Sequence, residues 1–161
     1  MRQIHRSLWY LQARGPSSTS EKGQTKKILT MLKEPVMFET VDLPNGLTVE
    51  FYDYSRKLAG DRWLVGLLVK IPMKVTRQDF EGFNEPEGLF EKFISQNGEE
   101  VSFQLKKERN FIDEKEKDEV FSQILENLKK HALSYMGHKD FSAGFKKKKI
   151  KEFEERLTWW Q

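Results

Sequence analysis

The chain has 161 residues, no cysteine, and 28 Lys+Arg against 25 Asp+Glu, with 37% hydrophobic and 33% charged residues. That length suits one domain with a core of its own, and the lack of cysteine excludes disulfides, thiolate metal ligands and a cysteine nucleophile. No apolar run approaches the roughly 18 residues that a membrane-spanning helix needs, since the most apolar stretch, Trp63 to Ile71, is interrupted by Gly66 and Lys70, so a soluble, cytoplasmic protein without a membrane partner is expected.

The basic character is concentrated at the N-terminus. Residues 1 to 33 hold Arg2, Arg6, Arg14, Lys22, Lys26, Lys27 and Lys33 against Glu21 alone, a net +6, which leaves 21 basic and 24 acidic groups, a net −3, for residues 34 to 161. Any attraction for polyanions therefore comes from this segment or from a local patch. Gly15 to Ser20 has the composition of a linker, and residues 1–35 are expected to be a disordered basic extension ahead of a single domain at 36–161. The first twenty residues resemble a transit peptide in composition but lack the continuous apolar region of a secretory signal. A translation start at Met31 or Met37, or a plain disordered tail, is preferred over targeting.

Phe38 to Leu43 and Leu47 to Ser55 read as strands flanking Pro44, Asn45 and Gly46, a hairpin in which Asn-Gly takes the positive φ of a tight turn. Leu47, Val49 and Phe51 fall on one face; Thr48, Glu50, Tyr52 and Tyr54 fall on the other. After a break at Arg56 to Asp61, Arg62 to Ile71 forms the strongest strand. Its apolar residues on both faces make it central. Arg77 to Gly98 begins irregularly and continues as a short helix over Leu89 to Gln96. Glu100 to Arg109 is a fourth strand with Val101, Phe103 and Leu105 inward, its Lys106, Lys107 and Arg109 suiting an exposed edge.

Asp113 is expected to cap a long helix with Val120, Phe121, Ile124, Leu125, Leu128, Ala132 and Tyr135 as its apolar stripe. A last helix from about Ser142 places Ile150, Phe153, Leu157 and Trp160 on one seam. Strands followed by helices, with no strand–helix–strand crossover, give an α+β fold: a four-stranded, meander-like antiparallel sheet, a short helix before the last strand, and two C-terminal helices packing on the sheet.

The glycine-rich phosphate loops and the nucleophile elbow are missing from the sequence. His5, His131 and His138 lack metal-site spacing, and His131 reads as a partly exposed position beside the apolar stripe. Asp79, Glu81, Glu85 and Glu87 read as a solvated acidic loop, because Phe80 and Phe83 break the order of a calcium loop. Neither a metal nor a cofactor is expected.

The densest collection of binding groups is Tyr52, Tyr54, Arg56, Asp61 and Arg62, in which arginines would hold an anion and tyrosines would stack on a ligand. An ordinary surface turn also accounts for them and is the preferred reading. A second candidate is the basic run Lys146, Lys147, Lys148, Lys149 and Lys151, tempered by Glu152, Glu154 and Glu155. A third is the terminal pair Trp159 and Trp160, for which core packing is the preferred reading. The leading functional expectation is a non-enzymatic binding or protein-interaction module presenting the Tyr52 to Trp63 region or the C-terminal helix to a protein partner or a second copy. The alternatives are nucleic-acid binding through the basic tail and Lys146 to Lys151, and a small-molecule enzyme with a site around Asp53, Arg56, Asp61 and Arg62.

Overall fold

A computed structural model describes residues 34–160; of the basic extension expected at residues 1–35, residues 1–33 lie outside them. The order is β1 (Val36–Asp42), β2 (Thr48–Asp53), β3 (Arg56–Ala59), β4 (Arg62–Lys74), a 3-10 turn (Arg77–Phe80), α1 (Pro86–Asn97), β5 (Glu100–Asp113), α2 (Lys117–Met136) and α3 (Phe141–Trp159). The fold is α+β and all strand pairs are antiparallel.

The sheet has five strands, not four. The additional one is β3, cut from the segment expected to be a break. Glu50 opposes Lys70, Asp53 opposes Leu67, Arg56 opposes Leu64 and Lys57 opposes Trp63, so β2 and β3 follow one line along the same edge of β4. The interruption at Tyr54 and Ser55 has a local cause. The Ser55 amide donates to Asp53 Oδ1 at 2.8 Å, and the Gly66 amide donates to Ser55 Oγ at 3.0 Å, so side chains replace ladder partners.

β4 is central, with residues 64–69 buried on both faces, and β5 pairs with it from Glu100 to Asp113. β5 thus runs four residues beyond its expected end. Asp113 closes the strand, accepting from the Lys115 amide at 3.0 Å, while Glu116 occupies the N-cap of α2. A bulge between Trp63 and Val65 coincides with Phe111 at φ 58°, a left-handed conformation for a bulky residue whose side chain is 73% exposed.

One face of the sheet carries Val49, Phe51, Val65, Leu67, Val69 and Ile71, covered by Ile124, Leu128 and Met136 of α2 and Phe141 of α3. α2 is held over β1 by Lys129 Nζ on Glu39 at 2.6 Å and by Phe121 edge-on to Phe38 at 5.4 Å. Its C-terminus is capped from the first turn: Asn45 Nδ2 donates to the carbonyls of Met136 at 2.9 Å and His138 at 3.0 Å. Gly46, at φ 85°, alone takes the positive φ of this turn, while Asn45 serves both turn and helix, its Oδ1 accepting from the Leu47 amide at 3.2 Å.

A second, smaller core joins Val75, Phe80, Leu89 and Phe93 to Ile150 and Phe153 of α3. The seam of the last helix therefore divides. Phe141 and Phe145 meet Phe103 of the sheet edge-on at 5.2 and 5.5 Å, whereas Ile150 and Phe153 dock on the 3-10 turn and α1. Trp159 and Trp160 are 87% and 91% exposed, which corrects both the seam assigned to Trp160 and the preference for core packing of the pair. Among the described residues no helix is long and apolar enough to cross a membrane.

Candidate functional site

The tyrosines project from the sheet face opposite the main core, where Tyr52 opposes Leu68 and Arg56 opposes Leu64. The Tyr54 amide donates to Gly66 O at 3.1 Å, and its ring lies flat on Gly66. A Cβ at that position would stand 2.4 Å from Tyr54 Cε2, so the glycine is required for this close approach. The polar ends of both tyrosines are occupied within the molecule. Tyr52 Oη donates to Glu50 at 2.7 Å beneath Lys70, whose Nζ is 5.0 Å from the ring centroid. Tyr54 Oη donates to Glu108 at 2.9 Å, with Lys106 at 5.6 Å.

The phenol of Tyr54 is pushed above its ordinary value of 10.0 by burial first, then by the hydrogen bond to Glu108 and its negative charge. That of Tyr52 is raised chiefly by its hydrogen bond to Glu50. The folded chain thus keeps phenolic protons at a pH where the unfolded chain has lost them. The stabilisation is fully present below about pH 10 and is lost as the pH rises through the folded values. Urea midpoints measured from pH 8 upward should fall beyond about pH 10, and Tyr54→Phe should flatten that fall; an unchanged slope in the variant would place the effect elsewhere.

Arg62 sits at the hairpin turn, 3.6 Å from Asp61 and 3.7 Å from Asp113. Asp53 is engaged by the Ser55 amide. Tyr52, Tyr54 and Arg56 therefore form a row on an open sheet face, with Asp61 and Arg62 at its end in their own ion pairs. Neither they nor Asp53 line the large concavities described below.

The basic run is also divided. Lys146 turns inward, its Nζ 3.4 Å from Asp79 Oδ2, with both side chains only 15–16% exposed. Lys149 pairs with Glu152 at 3.3 Å. Lys147, Lys148 and Lys151 are exposed, so the patch reduces to three solvated cations. Asp79 is correspondingly no member of a solvated acidic loop: it caps the 3-10 turn, accepting from the Thr76 amide at 2.7 Å.

The concave surface lies along β5. A groove of about 580 Å3 runs between this strand and α2, lined by Leu105, Lys107, Arg109, Ile124, Asn127 and His131 among others. A second hollow of about 590 Å3 shares His131 and Tyr135 with it and reaches Phe103, Phe145 and Lys148. Together they form one trough on the rim of the core. Its cause is the placement of α2, which is anchored toward β1 and leaves the inner face of the edge strand partly uncovered. Tyr135, assigned from sequence to the apolar stripe, is 69% exposed and stands at the join.

Pairing of Val65 with Arg109, Leu67 with Lys107 and Val69 with Leu105 puts both cations on the groove side of β5, in line with Leu105 and Phe103. Among the described residues neither has a carboxylate within 4.0 Å. The signal for this feature in the sequence is the parity shared by Leu105, Lys107 and Arg109, which assigning the cations to an exposed edge leaves unused. Opposite them, Gln123, Asn127 and His131 recur every fourth residue of α2 as a polar row. No group of His, Asp and Glu suited to a metal ion occurs among the described residues. No family model matches the chain, and comparisons with curated proteins and with solved structures also find no match.

Proposed function

We propose that the chain is a non-catalytic protein-interaction module that receives an extended polypeptide segment in the groove between β5 and α2. The observation that carries this reading is the groove itself: an apolar floor of Leu105, Ile124 and Leu128, polar walls, and the long edge strand beside it. Peptide recognition commonly combines such a strand edge with side-chain pockets. The reading keeps the interaction class expected from the sequence and moves its surface from the Tyr52 to Trp63 hairpin, where Tyr52, Asp53, Tyr54, Asp61 and Arg62 are already engaged, to the trough along β5.

Peptides selected from a random library against the whole protein test the proposal. Asn127→Trp, at an exposed position of the groove wall, should fill the trough and weaken their binding by about tenfold or more, about 1.4 kcal/mol. Tyr52→Ala should leave it unchanged. A library that yields no binders, or binders indifferent to Asn127→Trp and lost with Tyr52→Ala, would overturn it.

A further inference from the structure

We infer that the segment received in this groove is an acidic β-strand of another protein, which adds to the free edge of β5 with carboxylates facing Lys107 and Arg109 and apolar side chains facing Leu105. The inference rests on the groove reading above and adds the chemistry and conformation of the partner.

The conformation follows from the edge. β5 pairs with β4 along its length and, among the described residues, with no other strand, so its outward amides and carbonyls offer a ladder to an incoming chain. The bulge at Phe111 ends that ladder, leaving Glu100 to Arg109 as the regular part. Side chains of an added strand alternate between the two sheet faces, so every second one enters the groove.

The sign of the charge selects the partner. Lys107 and Arg109 stand at one end of the trough, Lys148 and His138 at the other, with His131 between them. Among the described residues Asp140 is the only acid lining either hollow, and it lies 3.7 Å from His138. Antiparallel pairing of two β5 edges centred on Lys106 and Lys107 is disfavoured, because it would set lysine against lysine, and like charges directly opposite destabilise a ladder. The chain's own residues 1–33 carry seven basic groups and one acid, the wrong sign for this surface. An acidic strand meets the edge, the apolar floor and the cations together.

The test uses the full chain and two capped peptides of about ten residues, long enough to span the regular edge, each with threonine at every second position and, on the face between, valine along one half and either glutamate or lysine along the other, so that charge can meet Lys107 and Arg109 while valine meets Leu105. Calorimetric titration should show that the glutamate peptide binds and the lysine peptide does not. Raising salt should weaken the glutamate peptide, and hydrogen exchange should show added protection within Glu100 to Arg109. Lys107→Glu with Arg109→Glu, both at exposed positions with no ion pair among the described residues, should weaken the glutamate peptide by about tenfold or more and admit the lysine peptide. Equal binding of the two peptides, binding without protection of β5, or indifference to the charge reversal would overturn the inference. If the glutamate peptide fails to bind while library peptides remain sensitive to Asn127→Trp, the groove stands and the acidic strand falls. If nothing is sensitive to Asn127→Trp, both fall.

Discussion

Phe93→Ala is expected to destabilise the protein by about 3–5 kcal/mol, a large share of the roughly 5–15 kcal/mol available to a domain. Phe93 is 2% exposed and lies edge-on between two aromatic rings, Phe80 at 5.6 Å and Phe153 at 5.1 Å. It is the centre of the smaller core that holds the second half of α3 against α1 and the 3-10 turn. Removing its ring forfeits the burial and both aromatic contacts and leaves a cavity whose walls come from three separate elements. Urea unfolding should show a lower midpoint, and native-state exchange should show residues 150–159 of α3 losing protection before α2 does, because α2 belongs to the main core. A loss under about 1 kcal/mol, with α3 protected as before, would mean that this core closes around the cavity.

The main features of the fold were legible because they are periodic. Val49 and Phe51 alternate with half-buried neighbours, residues 64–69 are apolar on both faces of a central strand, and Ile124 and Leu128 lie one turn apart on α2. β3 was not legible, since Arg56 and Lys57 carry no apolar alternation. They pair because β4 is long enough to offer them an edge. The end of β5 was misplaced for a similar reason: Asn110 and Phe111 at a bulge look like a loop, and Asp113 resembles a helix cap while it ends a strand. Trp160 satisfied the helical spacing of the seam but follows Trp159, the last residue of α3, and is 91% exposed, so periodicity alone assigned it to a core that does not include it.

The candidate site was less legible because its parts are distant in sequence. The parity of Lys107 and Arg109 with Leu105 follows from the strand pattern, whereas the groove beside them arises from where α2 is anchored, through Lys129 to Glu39 and Asn45 to Met136, contacts spanning about ninety residues. Composition could rank Tyr52 and Tyr54 as available groups, but only their hydrogen bonds to Glu50 and Glu108 show that the chain itself already engages them. The lysine run shows the same limitation, because nothing in its sequence separates Lys146 from Lys147.

That distinction leads to the second large effect, a loss of about 3–5 kcal/mol for Asp79→Ala. The Asp79 carboxylate accepts from the amide and hydroxyl of Thr76 at 2.7 and 3.1 Å and faces Lys146 Nζ at 3.4 Å, in surroundings that leave both charged side chains about one-sixth exposed. Alanine removes the cap of the 3-10 turn and strands an ammonium group away from both water and a counter-charge. Lys146→Met should cost far less, on the order of 1 kcal/mol, because methionine fills much of the space of the lysine stem and Asp79 keeps its two bonds from Thr76. The double variant should therefore be more stable than Asp79→Ala alone, with a coupling of about 1 kcal/mol or more in the thermodynamic cycle. Neutralising Lys147, Lys148 and Lys151 together should shift the midpoint by no more than about 0.5 kcal/mol per site. Additive losses in the cycle would remove the ion pair as a structural element and return Lys146 to the solvated patch.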